Sequence, residues 1–562
     1  MRSSAPAARA PRHEWPRTLL AGLLHAAAPD DPPWKLLAPV LALAFAVRAA
    51  VALAGDFVLH PDEIMQYLEP AHRLAFGNGV VYWEYFYGAR SWLVPGSVAG
   101  ALGLFHAAGL GEPAWYVGAI KLLFCAVSLA IPAGMYSFAR RHFSEAAARM
   151  ALVAGAFWYE LAGFAHKPLT EFVATAPLLG LLALCVNPSP DRPRVVWPAA
   201  ALAVLAAAIR VQYAPVAVVL LVVVFLRTRQ QVLLALAAAA ALWVVGIFDA
   251  LAWNGGLFHS YVTNVRFNLI LGEMRAAESP AWQFLWWLAL SGGGLSVLCL
   301  AASLRWPARY GLLLGLIALV MLTHSVQAHK EYRFIFVITP LWLLIGADLT
   351  VRLAAWAARR LPGRPAAERW PTIAAGTLFA AVSLAGVLNA LPAQGSVYRA
   401  WSRETGVTGF LRGQDPIFAA YRFLARAPDV EAVWQVDRPY YNTPGYYYLH
   451  RAIPFYDAHT GQGISQDLAT VSASVSHLVS EAPDLEVPGY SLERTFGSVR
   501  ILRRDAGQAP VRRWREYAPV IADEFVHGIM RRVDRNATAP PANAGIRFAR
   551  PGRPGARNED GG

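Results

Sequence analysis

Cysteine is nearly absent: three in 562 residues, Cys125, Cys185 and Cys299, each inside an apolar run. No disulfide framework and no metal-type spacing can be built from them, and they leave the redox compartment unread. Charge is scarce as well, at 15% of residues, where soluble domains carry about 25%. Hydrophobic residues make up 56% and gather in long runs. That combination reads as a polytopic membrane protein. A net charge of +13 would suit nucleic acid. Much of the arginine, however, lies in short loops between apolar runs, and no zinc-finger, helix-turn-helix or RNA-binding pattern accompanies it. Nor is there an internal repeat of the kind from which inverted-repeat transporters are built. Mid-span charges are few, and Asp249 lies near a span end.

What is present follows an order. Residues 1–34 are rich in Ala, Pro and Arg and read as a cytoplasmic tail. The first span runs from Leu36 to Ala54. Further spans are predicted at about 114–138, 150–164, 169–186, 196–209, 214–226, 232–253, 282–302, 310–323, 334–350 and 371–392, about eleven helices in all. Loops placed inside carry Arg140, Arg141, Arg149, Arg192, Arg194, Arg227, Arg229, Arg305, Arg309, Arg352, Arg359, Arg360, Arg364 and Arg369. Those placed outside carry only Lys167, Arg210, Arg266, Arg275, Lys330 and Arg333. This alternation puts residues 393–562 on the far side from the N-terminus. There, strands are predicted at Val430–Val436, Ala452–Tyr456, Ser476–Ser480 and Phe496–Leu502, with a helix at Thr408–Ala425. A small α/β domain over 393–536 follows, with a Pro-, Gly- and Arg-rich disordered tail over 537–562.

The loop at 55–113 is too long for a plain connection. Its stretch from His60 to Gly96 sets Asp62, Glu63, Glu69, His72, Glu84 and Arg90 among Tyr82, Trp83, Tyr85, Phe86, Tyr87 and Trp92. An interfacial aromatic belt accounts for the aromatics. It does not account for adjacent carboxylates beside a bilayer, where charge is costly and usually functional. Within the loop, 63–76 and 82–100 read as amphipathic helices along the membrane surface. Other polar residues fall on the same predicted face: His60, Gln66, Ser91, His166, Lys167, Glu171, Arg210, Gln212, Tyr213, Arg266, Asn268 and the run His329, Lys330, Glu331, Tyr332, Arg333, Phe334. Three potential cations within five positions suit a phosphate, with Arg adding planar bidentate donors. Snorkelling at a helix end is the plainer reading of a lone basic residue.

The order HPDE…Q…EPAH…GNG…WEY…RSWLVPG resembles the first luminal loop of glycosyltransferase family 22, the lipid-phosphate-mannose-dependent α-mannosyltransferases. HKEYRF resembles that family's second signature, HKExRF, and the stretch at 261–287 is similar to its middle loop. The match spans roughly residues 35–350. It implies an all-α GT-C membrane fold and a catalytic domain over 35–392 whose active site faces away from the cytoplasm. It also implies inverting transfer from a polyprenyl- or dolichyl-phosphate sugar to a glycan or glycolipid. The C-terminal domain is large for the family, and the Ala/Arg/Pro composition suggests a bacterial inner-membrane protein with a periplasmic site. The acceptor is therefore not carried over.

By the resemblance, Asp62 is the base that takes the acceptor's hydroxyl proton, with Glu63 as its partner or the alternative base. Lys330 and Arg333, assisted by His329, hold the donor phosphate. Trp83, Glu84 and Arg90 position sugar, and His60, Gln66, Glu69, His72, Arg266 and Asn268 complete the substrate-binding set. His166, Glu171 and Arg210 read as helix-end polar residues before ligands. His60, Asp62 and Glu63 could hold a hard cation, but cations at the phosphate make a metal unnecessary and none is expected. Readings of other classes are a lipid-linked-sugar flippase, a GT-C transferase for another sugar, and a structural membrane protein whose C-terminal domain is the working part.

Overall fold

The computed structural model describes residues 34–58, 60–187, 189–270, 280–327, 329–360, 369–389, 415–438, 440–457, 475–506 and 520–521. The N-terminal tail over 1–33, Arg275 and the tail over 537–562 lie outside them, as do 390–414, where the expected boundary at 392 falls. Helix α1 is Trp34–Ala54. A π-helical turn, Glu63–Leu68, runs directly into α2, Glu69–Phe76. Then come α3 (Leu93–Ala107), α4 (Pro113–Ser128), α5 (Ala130–His142) and α6 (Glu145–Phe157). The bundle continues with α7 (Thr170–Cys185), α8 (Pro193–Ile209), α9 (Ala214–Arg227) and α10 (Gln231–Trp253). It closes with α11 (Gln283–Ser291), α12 (Leu295–Ser303), α13 (Pro307–Ser325), α14 (Ile338–Arg360) and α15 (Arg369–Asn389).

Among the described residues, five helical stretches are long and apolar enough to cross a membrane: α1, the run Pro113–His142, α10, α13 and α14. Four shorter apolar helices of 10–17 residues stand beside them. The span expected at 282–302 is instead α11 and α12, bent by 109°. The break falls at Gly292–Gly294, where Gly293 and Gly294 take positive φ, a conformation that glycine enters at little cost. The span expected at 150–164 is also shorter than predicted. Helix α6 ends at Phe157, Trp158 is extended, and a separate turn covers Tyr159–Gly163.

The core sits around α7 and the first half of α14, where every residue from Ile338 to Asp348 is buried. Arg48, near the middle of α1, is fully buried and was not singled out in the sequence. Its guanidinium donates to the carbonyls of Ala156 (2.9 Å) and Gly155 (3.1 Å), which the end of α6 leaves without helical partners. A second lock joins α13 to α14: Asp348 accepts two bonds from Arg309 (2.7 and 2.8 Å) and one from the Tyr310 hydroxyl (2.7 Å).

Beyond the bundle, α16 (Pro416–Arg426) opens with Asp415 capping the Ile417 amide and Pro416 at its first position. A five-stranded mixed sheet follows in the order β3-β2-β4-β6-β5. Its strands are β2 Val433–Gln435, β3 Phe455–Asp457, β4 His477–Ser480, β5 Tyr490–Phe496 and β6 Val499–Arg504. Strand β2 runs parallel to β3 and β4, whereas β6 is antiparallel to β4 and β5. The predicted strand Phe496–Leu502 straddles the turn of the β5–β6 hairpin. β5 itself (YSLERTF) was missed because it is a half-exposed strand with little apolar alternation. Two residues of the long loop, β1 (Val81–Tyr82), pair in parallel with β7 (Val520–Ile521).

The stretch 63–76 does not lie on a membrane surface. Every residue from Glu63 to His72 is buried, polar ones included. The reason is its cover, because the C-terminal segment packs over it through the short helix α17 (Gly445–Leu449). The stretch at 82–100 is likewise a four-residue turn, Trp83–Phe86, followed by the apolar helix α3.

Candidate active site

The helices that flank the long loop deliver charge to one end of the bundle. Helix α1 ends just before Asp62, α7 begins with Thr170 and Glu171, α8 ends at Arg210, and α14 follows the run 329–336. Asp62 and Arg333, 271 residues apart, meet there: Nη2 of Arg333 donates to Asp62 Oδ2 at 2.6 Å. The same guanidinium donates from Nε to Glu331 Oε2 at 2.5 Å, and its Nη1 lies 3.0 Å from Glu171 Oε1. Glu171 in turn pairs with Arg210 at 3.0 Å. Both arginines lie over the ring of Phe334, at 5.0 and 5.3 Å from its centroid. Glu331 also meets His60 Nε2 at 3.1 Å and His329 Nε2 at 2.7 Å. The Nδ1 of His60 is 3.5 Å from Asp62 Oδ1.

Three carboxylates thus share two guanidiniums, with two imidazoles at the rim. Burial alone would raise the Asp62 carboxyl, but Arg333 and His60 outweigh it and hold it well below the usual carboxylate range. The same balance keeps Glu331 ionised: burial is opposed by Arg333 and by the bonds from His329 and His60. Arg333 is held among three carboxylates and orients Asp62. Lys330 Nζ donates to the Gln327 carbonyl at 2.5 Å.

Other expected residues divide by partner. Glu63, next to Asp62, turns away into a buried pair with Lys167 (3.0 Å), whose ammonium also donates to the Phe57 carbonyl at 2.8 Å and lies over the Phe57 ring. Gln66 donates to Glu84 Oε1 at 2.7 Å, and Arg90 approaches the same oxygen at 3.6 Å. Burial pushes the Glu84 carboxyl up to about 7 against the pull of Arg90. Trp83 packs on Phe267 with ring centroids 4.6 Å apart. Arg266 and Asn268 are exposed on either side of Phe267, and Asn268 bonds back to the Asn264 carbonyl. His166 is buried against Phe57.

Glu69 and His72 are engaged by the C-terminal segment. Glu69 is fully buried and accepts the amides of Val80 (3.1 Å), Tyr446 (3.1 Å) and Tyr447 (3.2 Å). Gly445 lets it approach, since a Cβ there would meet Glu69 Oε2 at 2.5 Å and its φ is +62°. His72 bonds through Nδ1 to the Asn78 carbonyl (2.7 Å) and through Nε2 to His450 Nδ1 (2.9 Å). These contacts clamp the C-terminal segment onto the loop. Nothing in the sequence marks partners more than 370 positions away.

Beside the charged cluster opens a cleft that encloses about 460 Å³ of non-protein space, including its open mouth. Arg90 and Arg210 line it, with the hydroxyls of Tyr67, Thr170 and Ser91 and the amide of Asn264. Sequence reasoning ranked Arg210 and Glu171 low, yet they join the cleft to Asp62. The available signal was a charged residue between two apolar runs on the side where such residues are sparse. Among the described residues no group of three His, Cys, Asp or Glu side chains is arranged to hold a metal ion.

Three comparisons bear on this geometry. The family model described as the Alg9-like mannosyltransferase family matches residues 40–450. GPI mannosyltransferase 3 of Yarrowia lipolytica is 45% identical over 74 residues, 13% of this chain and 14% of that protein. The Drosophila melanogaster protein of the same name is 45% identical over 60 residues, 10% of this chain and 11% of its own length. The chain therefore aligns with only about a seventh of the first relative and a ninth of the second. In fold, the crystal structure of ArnT from Cupriavidus metallidurans bound to undecaprenyl phosphate superposes with a TM-score of 0.52 at 14% identity, covering 86% of this chain and 100% of that one.

Proposed function

Because this chain belongs to the Alg9-like mannosyltransferase family, we propose that it is an integral membrane mannosyltransferase. Its donor is a polyprenyl-phosphate mannose, its acceptor a glycan or glycolipid hydroxyl, and its reacting face the extracytoplasmic one. The observation that carries this reading is the junction of Asp62 and Arg333 beside an arginine-lined cleft. Relatives named as mannosyltransferases, and a neighbour in fold solved with undecaprenyl phosphate, support the choice of sugar and carrier.

The transfer proceeds with inversion. The acceptor oxygen bonds to the anomeric carbon from the face opposite the phosphate, while the bond from that carbon to the phosphate oxygen breaks. The acceptor's proton passes to the Asp62 carboxylate, and the lipid phosphate leaves as an anion that needs no general acid. Asp62 is a weak base in its resting state. The proton moves late, once the forming bond has made the hydroxyl acidic. Arg333 and His60 fix the carboxylate's direction, so little of the bound geometry has to be found during attack.

The test uses purified Asp62→Asn protein. It folds, retains donor binding and loses transfer by about 10²–10⁴-fold, followed as label moving from polyprenyl-phosphate mannose to acceptor. Near-normal turnover in that variant removes Asp62 from the role. Label arriving only from a non-mannosyl donor replaces the sugar.

A further inference from the structure

We infer that the cleft beside Glu171 is the seat of the lipid-borne phosphate, with Arg90 and Arg210 as its cationic jaws. The inference rests on the transferase reading and deepens it, because the phosphate moves away from the run 329–333. Three observations point there. First, Arg333 already shares its charge among three carboxylates, Asp62, Glu171 and Glu331. Second, Arg90 and Arg210 both line the cleft, and the Nε–H of each finds no acceptor among the described residues. Arg90, 24% exposed, meets its carboxylate, Glu84, only at 3.6 Å, and Arg210, 6% exposed, has one ion-pair partner and a 3.4 Å bond to the Thr170 hydroxyl. A buried guanidinium with unused donors is costly unless an anion completes it. Third, the remaining walls have the two chemistries that such a molecule needs. Hydroxyls from Tyr67 and Thr170 lie near the arginines, and apolar Leu93, Val94 and Ile209 continue into α3 and α8, whose length is apolar.

The arrangement also sets the order of groups along the reaction path. Glu171 bridges Arg210 to Arg333, and Arg333 holds Asp62. A sugar attached to a phosphate at Arg210 therefore points along a chain of paired charges toward the base. Leaving-group charge develops where cations are fixed in place before reaction, which is where electrostatic stabilisation is strongest.

The experiment measures binding without acceptor, so it does not depend on turnover. Purified protein in detergent is titrated with undecaprenyl phosphate, with undecaprenol and with inorganic phosphate, and retention of each is read by native mass spectrometry. The expected result is that undecaprenyl phosphate binds, undecaprenol binds at least tenfold more weakly, and Arg90→Gln and Arg210→Gln each weaken the phosphate form by about 10–100-fold. Inorganic phosphate competing in the same low range as the lipid would mean that a free phosphate suffices, which would overturn the lipid assignment. Arg210→Gln removes a partner of buried Glu171, so Gln212→Trp, which fills the same cleft from its lining without touching the charged cluster, serves as the second variant and is expected to block binding. Unchanged lipid-phosphate binding in Arg90→Gln and Gln212→Trp overturns the site. Such variants losing transfer while binding normally would leave the transferase reading standing and the phosphate seat elsewhere. A turnover-competent Asp62→Asn would do the reverse.

Discussion

Asp62 and Glu63 are neighbours in the chain with different fates, and the difference follows from what each can reach. The π-helical turn starting at Glu63 leaves Asp62 at its mouth, facing Arg333 and His60. Glu63 begins the turn, points inward and meets Lys167 in a pair that is 5% and 4% exposed. A buried pair is a weak source of net stability, but removing one partner strands the other. Glu63→Gln is therefore expected to cost about 3–5 kcal/mol of stability, while the protein that remains folded keeps its turnover within a few-fold. Adding Lys167→Met to that variant should restore most of the loss. Thermal unfolding in detergent and specific activity per folded molecule check both halves. Loss of turnover by orders of magnitude with stability intact would return Glu63 to the role of base. The sequence placed both carboxylates beside the membrane but did not separate them, because a one-residue difference in direction depends on the wide turn of a π-helix, which propensity does not encode.

At the scale of elements, the segment from Glu63 to Phe76 behaves as a hinge plate between the bundle and the C-terminal sheet. Apolar Ile64, Tyr67, Leu68 and Ala71 were legible as one face. Its other face was expected to meet water or substrate, and it meets α17 instead. Periodicity reports that a face is apolar, not that a polar face is also covered. Asp56 extends the same joint: it accepts from Lys121, Arg422 and the Tyr448 hydroxyl, and its carbonyl accepts the Asp415 amide at 2.9 Å. His72 makes the joint sensitive to acid. Burial lowers it from 6.5 to about 3, against the bond to Asn78, and burial lowers His450 as well. A depressed His contributes stability that is complete above the unfolded value of 6.5 and is lost as pH falls toward about 3. Glu69, pushed up to about 7 by burial, acts in the opposite sense, with its contribution full below 4.5 and lost as pH rises through 7. Subtracting the stability of a His72→Gln variant from that of the parent cancels Glu69. The difference should climb as pH rises from 3 to 6.5, by on the order of a few kcal/mol, and stay level above. A flat difference across that range would mean that His72 does not titrate at the joint.

For the whole molecule, the pattern of apolar runs and arginines established a membrane bundle followed by a small α/β part, and both are present. What it did not reveal shares one cause. The 109° bend between α11 and α12, the Arg48 bond to the end of α6, and the joining of Glu171 with Arg210 and Arg333 are all tertiary pairings that leave no periodic trace. Family motifs supplied Asp62 and Arg333; the cleft between Arg90 and Arg210 emerged only when four helix ends converged. The proposed sidedness draws on the same convergence. Every charged group of the site lies at one end of the bundle, while α9 and α14 carry Arg227, Arg359 and Arg360 to their far ends. Positive residues are retained on the cytoplasmic side, so the cleft and the sheet should face away from it. All three native cysteines are buried and should react little with a thiol reagent. A cysteine at Asp484, exposed in the sheet domain, should then be labelled by a membrane-impermeant maleimide on intact cells. One at Arg229, exposed between α9 and α10, should be labelled only after the membrane is opened. The opposite pattern would turn the protein over in the bilayer and move the reaction to a cytoplasmic donor pool, because the cleft cannot change sides without carrying Asp62, Arg333 and the sheet that clamps the loop along with it.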